Sequence, residues 1–425
     1  MRRRDFITVL GGAAVTWPLT ARAEDMPKPK AKPRPQKQTR SDKPARPERP
    51  ERTGSPATIT FAAGKSVAPS QLLTIAACGD ILLHEALQKQ YAQQRDGYAG
   101  LFRATRDLIQ GADVAFANLE GPCAEGVVSN GSAVTPPNSL YDGSVYTGYP
   151  MFNYHPSLTT EVKKAGFDIV NTANNHALDR HSLGVDRTIG ALKGVGMPFT
   201  GTRSRQAMDV PWYTVTQVKS GVGTYNIAWL GSTYDTNGIP DRDNQILHCY
   251  AHKEQVLAIT QELARRPDIH AVMVTPHWGI EYQHKPEAKQ VQWAKDVVEA
   301  GATAIIGQHP HVMQPFEKIT ASNGREALVA YSMGNFVSGQ IGLPRKSTAI
   351  LLLGLTPNAQ HKLTLAAVGW IPVWMVSSGG FYAEPTERAR SGEARAHYNH
   401  LVSILPQGNV HPAALPYFRN EAYRA

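Results

Sequence analysis

Residues 302–311, Ala302-Thr-Ala-Ile-Ile-Gly-Gln-His-Pro-His311, carry a short apolar, β-branched run directly into two histidines. Residues 302–306 have the length and composition of a buried strand, so His309 and His311 leave its carboxyl end. Open α/β sheets place their sites there. Pro310 fixes φ between the two imidazoles, which can then face one cleft and offer neutral nitrogen to a divalent cation. A single His-x-His is equally compatible with two polar loop histidines, so the reading depends on whether ligand-type residues close other strands as well.

Working outward from this stretch, they recur. The apolar run 72–79 ends at Asp80, the run 112–117 at Asn118-Leu119-Glu120, the run 167–173 at Asn174-Asn175-His176, and the run 270–275 at His277-Trp278-Gly279. Helix-like segments at 157–165, 182–195, 253–266 and 287–300 separate them. This alternation predicts an α/β fold with helices packed on a largely parallel or mixed central sheet and the site at the strand C-terminal ends. Residues 327–331, 348–355 and 362–374 are strand-rich without comparable helices, and are expected to be antiparallel strands closing a second sheet. From Glu384 onward the chain is polar and is expected to be peripheral.

Five strand ends thus deliver Asp80, Glu120, Asn175 with His176, His277, and His309 with His311. One acid after a strand is commonly a cap or turn former, and one histidine commonly a satisfied structural residue. Their coincidence at five ends points instead to a metal site. Two divalent cations need several oxygen and nitrogen ligands, a carboxylate able to bridge, and open positions for water and substrate, and this inventory supplies them.

The ordered motifs Gly79-Asp80, Asn118-Leu119-Glu120-Gly121, Asn174-Asn175-His176-Ala177-Leu178-Asp179, His277-Trp278-Gly279-Ile280-Glu281-Tyr282, Gln308-His309-Pro310-His311 and Tyr331-Ser332-Met333-Gly334-Asn335-Phe336 resemble the CapA family of capsule and poly-γ-glutamate synthesis proteins. That family belongs to the calcineurin-like metallophosphoesterase superfamily, and the resemblance spans about residues 72–380. It implies a two-sheet α/β sandwich flanked by helices, with a centre of two divalent metal ions (Mn, Fe or Zn) at the strand ends. It also implies roles: Asp80 as the first-strand ligand, Glu120 as the bridging carboxylate, Asn175, His277 and His309 at the second metal, and His311 at the first. His176 would face the substrate as general acid in phosphate-ester hydrolysis. One departure stands out. Many superfamily members have Asp-x-His after the first strand, whereas Leu82 stands there in this chain, and His84 follows two residues later.

Glu281, Tyr282, His284 and Lys285 follow the His277 motif and are candidate substrate-binding residues at the cleft rim, with a solvated loop as the alternative. Gly64-Lys65-Ser66 ends like a phosphate-binding P-loop, but Ile59 occupies the position of its first glycine. Cys78, Cys123 and Cys249 are odd in number and without CxxC spacing, which excludes a disulfide scaffold.

The formal net charge of +9 is concentrated at one end, since residues 1–57 carry fourteen basic and six acidic side chains. The rest of the chain is close to neutral, and no nucleic-acid groove is expected on it. Arg3-Arg4-Asp5-Phe6-Ile7 is a twin-arginine pattern. The short apolar core that follows and Ala21-Arg22-Ala23 complete the outline of a cleavable signal peptide, residues 1–23. Residues 24–57, rich in Pro, Lys and Arg, read as a disordered linker. Residues 58–383 are then the CapA-like domain and residues 384–425 a C-terminal segment. The expected protein is exported to the periplasm or cell envelope, with membrane anchoring as the rival reading of its N-terminus. It acts in capsule or envelope polymer synthesis on an anionic polymer or a phosphate-ester substrate. The alternative is a non-catalytic, metal-containing accessory subunit of a membrane-bound synthase complex.

Overall fold

Apolar residues at successive positions of one strand leave for two different layers in this molecule. In strand β1 (Leu73–Leu82), Leu73, Ile75 and Ala77 face one core and Ala76, Cys78 and Leu82 another. That is the two-residue period of a strand buried on both faces, and it explains the unbroken apolar runs. The computed structural model describes residues 56–389, 391–414 and 417–418. The expected signal peptide and nearly all of the linker lie outside them.

Two sheets pack face to face. The first contains β1, β2 (Val114–Leu119), β3 (Ile169–Asn171) and β4 (Phe199–Thr200) in parallel, with β11 (Asn335–Ser338) also parallel to β1. The long strands β12 (Ser347–Pro357) and β13 (Leu363–Val376), with β14 (Tyr382–Pro385), extend it antiparallel on the other side of β1. The second sheet has the order β5 (Tyr213–Ser220), β6 (Gly223–Thr233), β7 (Ala271–His277), β8 (Ala304–Ile306), β10 (Glu326–Ala330) and β9 (Phe316–Thr320). Its inner four strands are parallel and its two edges antiparallel.

Between the sheets, Ile75, Phe116 and Leu353 meet Trp229, Met273 and Ile306. Phe116 and Trp229 stack with ring centroids 5.4 Å apart. The outer faces are covered by helices. On the first sheet lies α3 (Ser157–Ala165), with Leu158 and Val162 inward, beside α1 (Glu85–Ala92) and α2 (Arg106–Gln110); α4 (His181–Gly194) follows the β3 loop. On the second lie α5 (Lys253–Arg265) and α6 (Ala288–Ala300), burying Val256, Leu263, Trp293 and Val297. The remaining α-helices among the described residues are a short α7 (Leu343–Lys346) and α8 (Gly392–Val402).

The structure corrects the sequence reading in two places. β12 and β13 do not close the second sheet: β12 pairs with β1 and β13 with β12, because the alternate leucines of β12, Leu351, Leu353 and Leu355, fill the same inter-sheet core as Leu73 and Ile75. Of the strand-rich C-terminal stretches, only β10 joins the second sheet. The segment after Glu384 is not peripheral either. β14 runs across that boundary, Leu401, Leu405 and Phe418 are buried in the cores, and Asn409 exchanges hydrogen bonds with the backbone of Ile59.

Candidate metal centre

The carboxyl ends of β1, β2, β3, β7 and β8 come from two sheets and converge on one point. Two glycines permit it by close backbone approach. A Cβ on Gly79, immediately before Asp80, would lie 1.9 Å from the carbonyl oxygen of Gly334, and one on Gly307 would lie 2.1 Å from that of Tyr331. His309 and His311 themselves hold φ of 99° and 57°, in the left-handed region that favours glycine. Hydrogen bonds from Gln308 N to Pro276 O, Trp278 N to Gln308 O and Tyr282 N to Pro310 O fix the turn around them.

All six sequence-predicted ligands are at most 2% exposed and lie together. His277 Nε2 is 2.8 Å from Asn175 Oδ1, 3.2 Å from His309 Nδ1 and 3.5 Å from Glu120 Oε1. His311 Nδ1 is 3.1 Å from Asp80 Oδ2, and its Nε2 is 3.8 Å from Glu120 Oε1. Glu120 therefore stands between two groups, with Asp80 and His311 on one side and Asn175, His277 and His309 on the other. Neither of its carboxylate oxygens has a hydrogen-bond donor among the described residues, although both are fully buried. Among the described residues, no Lys or Arg pairs with Asp80 or Glu120. A buried carboxylate without donors costs several kcal/mol. Nitrogen and oxygen atoms aimed at the same space are what a divalent cation would use, so the residues fit divalent metal.

The electrostatics differ from ligand to ligand. Burial, reinforced by the charges of His277 and His311, pushes His309 well below the usual imidazole range, so it is neutral and able to ligate. Burial also opposes charge on His311, but Glu120 and the hydrogen bond to Asp80 outweigh it and hold its pKa up to about 9. Burial and the neighbouring Glu120 raise Asp80.

His176 lies beside this cluster, at the start of the turn into α4. Its Nδ1 is 2.8 Å from Asp179 Oδ2, which also accepts from Phe152 N at 2.6 Å. Burial disfavours the imidazolium, but the Asp179 hydrogen bond and charge prevail and raise the His176 pKa. His176 lines a cavity of about 590 Å³ bordered also by His84, Tyr149, Asn237, Tyr282 and Arg345.

Of the four rim candidates, the structure brings Glu281 and Tyr282 to this cavity but not His284 or Lys285. The chain reverses at Tyr282, φ 66°, and His284 Nδ1 faces Met313 O at 2.8 Å, which carries Lys285 away into solvent. His84 keeps Nδ1 against Leu82 O, Ser338 Oγ and Gly339 N, and belongs to neither metal-ligating group. Asn118 acquires a role that its motif did not announce. Its amide nitrogen donates to Asp80 Oδ1 at 2.8 Å and lies 3.2 Å from His277 Nδ1, so it joins a ligand from each sheet. A buried Asn between two ligand-bearing strands was the available signal.

Comparison with known proteins gives a consistent set of relatives. The family described as "Bacterial capsule synthesis protein PGA_cap" matches residues 74–340. The capsule biosynthesis protein CapA of Bacillus anthracis is 27% identical over 298 residues, covering 68% of this chain and 65% of its own length. The PGA biosynthesis protein CapA of Bacillus subtilis strain 168 is 26% identical over 319 residues, covering 72% and 75%. Among solved structures, the sulfate thiohydrolase SoxB of Thermus thermophilus in complex with glycerol aligns over 78% of this chain and 60% of its own, with TM-score 0.40 and 15% identity. The purple acid phosphatase PPD1 of yellow lupin seeds aligns over 64% and 56%, with TM-score 0.27 and 12% identity.

Proposed function

The chain belongs to the PGA_cap family of bacterial capsule synthesis proteins, and from that premise we propose that it acts on an anionic polymer of the cell envelope by hydrolysing a phosphate ester at a centre of two divalent metals. The observation that carries the reading is Glu120, a buried carboxylate without donors, set between the ligand groups of two sheets. When bound, two divalent cations supply Lewis-acid activation of water and neutralise charge on the phosphoryl oxygens.

The side chains divide the remaining work. Asp80, Glu120 and His311 would hold the first metal, and Glu120, Asn175, His277 and His309 the second. Asp179 fixes the His176 ring through Nδ1, so that Nε2 is the atom that gives a proton to the leaving oxygen. Arg345, stacked 5.1 Å from the centroid of Tyr282, gives the cavity a cation suited to an anionic chain. Export and a place beside a membrane-bound synthase belong to the same proposal, and rest on the twin-arginine stretch and the basic linker.

A screen of phosphomonoesters and phosphodiesters with wild type and His176→Ala tests it. The expected result is turnover by wild type and a loss of about 10²–10⁴-fold in the variant, with metal content unchanged. Metal-loaded wild type that binds an anionic polymer but turns over no ester would replace the hydrolytic reading with that of an accessory binding subunit.

A further inference from the structure

The two halves of the centre are unequally supplied by the residues named so far. The second has two imidazoles, an amide oxygen and a shared carboxylate, while the first has only Asp80, His311 and the shared Glu120. Strand β1 presents Leu82, 1% exposed, in the position from which another imidazole would come, and His84 turns its Nδ1 to the backbone. Glu281 approaches from the opposite wall. Its Oε1 is 4.0 Å from His311 Nε2, and one ligand atom each of Glu281, His311 and the second group's His309 lie within 4.8 Å of one another, so Glu281 borders the centre on its His311 side. Two atoms bound to one ion at about 2.0–2.2 Å lie about 3–4 Å from each other. The separations of His311 Nε2 from Glu120, 3.8 Å, and from Glu281, 4.0 Å, are too long for hydrogen bonds and suit ligands facing one cation.

The loop that carries Glu281 is held in register with the histidines. Tyr282 N donates to Pro310 O at 2.8 Å, Trp278 N to Gln308 O at 3.0 Å, and Trp278 Nε1 to Tyr331 O at 2.9 Å. Gly279 turns the chain at φ 94°, where a Cβ would lie 2.7 Å from the Gln290 amide.

We propose that Glu281 is a ligand of the first metal, supplying from the β7 loop the fourth protein group that Leu82 withholds from β1. The two sites then differ in kind. Three carboxylates and one imidazole favour a hard cation, Mn²⁺ or Mg²⁺, at the first, whereas two imidazoles favour a softer ion such as Zn²⁺ or Fe²⁺ at the second. This rests on the two-metal reading above.

The test is metal binding by wild type and Glu281→Gln, starting from chelator-treated protein. Mn²⁺ titration is followed by elemental analysis and by electron paramagnetic resonance, which separates a coupled pair from an isolated ion. Wild type is expected to bind two ions. Glu281→Gln is expected to keep one and to bind the other at least 10-fold more weakly, with the coupled signal replaced by an isolated one. Two ions bound with wild-type affinity by Glu281→Gln would overturn the assignment of Glu281 alone. A wild type that binds no pair would overturn the two-metal centre, and this inference with it. Zn²⁺ added to Mn²⁺-loaded wild type is expected to displace one ion readily and the second at higher concentration; equal displacement of both would overturn the difference between the sites. Because Glu281 is on the surface, matched circular dichroism of the chelated proteins checks that both are folded.

Discussion

At the residue scale, the two-metal centre that we propose turns on Glu120. A bridging carboxylate touches both ions and offsets the repulsion between two dipositive charges about 3.5–4 Å apart. Glu120→Gln keeps the shape and removes the charge, so bound metal is expected to fall at both sites while the fold persists. His311→Ala, in contrast, should cost chiefly the first. The readout is metal content together with the metal-dependent rise in unfolding stability, which amounts to about 2.7 kcal/mol at 100 times Kd for each site and should vanish in Glu120→Gln. Unchanged content at both sites would return Glu120 to the role of a turn former before Gly121-Pro122. Asp80, Glu120, Asn175, His277, His309 and His311 could be named as candidate ligands from the sequence because each follows an apolar run. Glu281 was legible only as a rim residue, since its distance to His311 is a property of two loops separated by thirty residues.

At the scale of elements, boundaries read from periodicity agree closely with the helices, as for α3 at Ser157–Ala165. They agree less well for strands that gain partners late in the chain. β1 continues past Asp80 to Leu82 because β11 pairs with its end, Asp80 opposite Asn335. Helix α8 carries a second testable property. His397, 1% exposed, packs on Trp374 and lies 2.7 Å from Ser347 Oγ. Burial, then the charge of Lys346, lowers its pKa to about 4. In the unfolded chain the imidazole takes a proton near 6.5, so between about 6.5 and 4 the unfolded state binds more protons. Stability is therefore present above that window and is lost as pH falls through it, with a slope of at most about 1.4 kcal/mol per pH unit from this residue. His397→Gln should flatten the pH dependence of the denaturation midpoint in that window; a curve parallel to wild type would show that His397 is not the group responsible.

At the scale of the whole molecule, charge and fold are separate. The surplus of positive charge belongs to residues 1–57, and the domain is an almost neutral sandwich with a carboxylate-lined centre. No helix among the described residues is long and apolar enough to cross a membrane. For the export that we propose, Arg3→Lys with Arg4→Lys should leave the precursor in the cytoplasm with its signal uncleaved, as read by fractionation and by the mass of the N-terminal peptide. Mature protein outside the inner membrane in this variant would mean another export route.

By itself, the sequence determined which residues could ligate and on which kind of element each sits, because strand burial and helix amphipathicity leave a local periodic trace and the motifs follow those runs directly. Only the tertiary structure decided which strands share a sheet, that β12 pairs with β1 and β13 with β12, and that Asn118 and Glu281 lie beside the ligand cluster while Lys285 turns away. These depend on which apolar face meets which, and on backbone approaches such as Gly79 to Gly334 and Gly307 to Tyr331. Such contacts link residues far apart in the chain, and a local pattern carries no record of them.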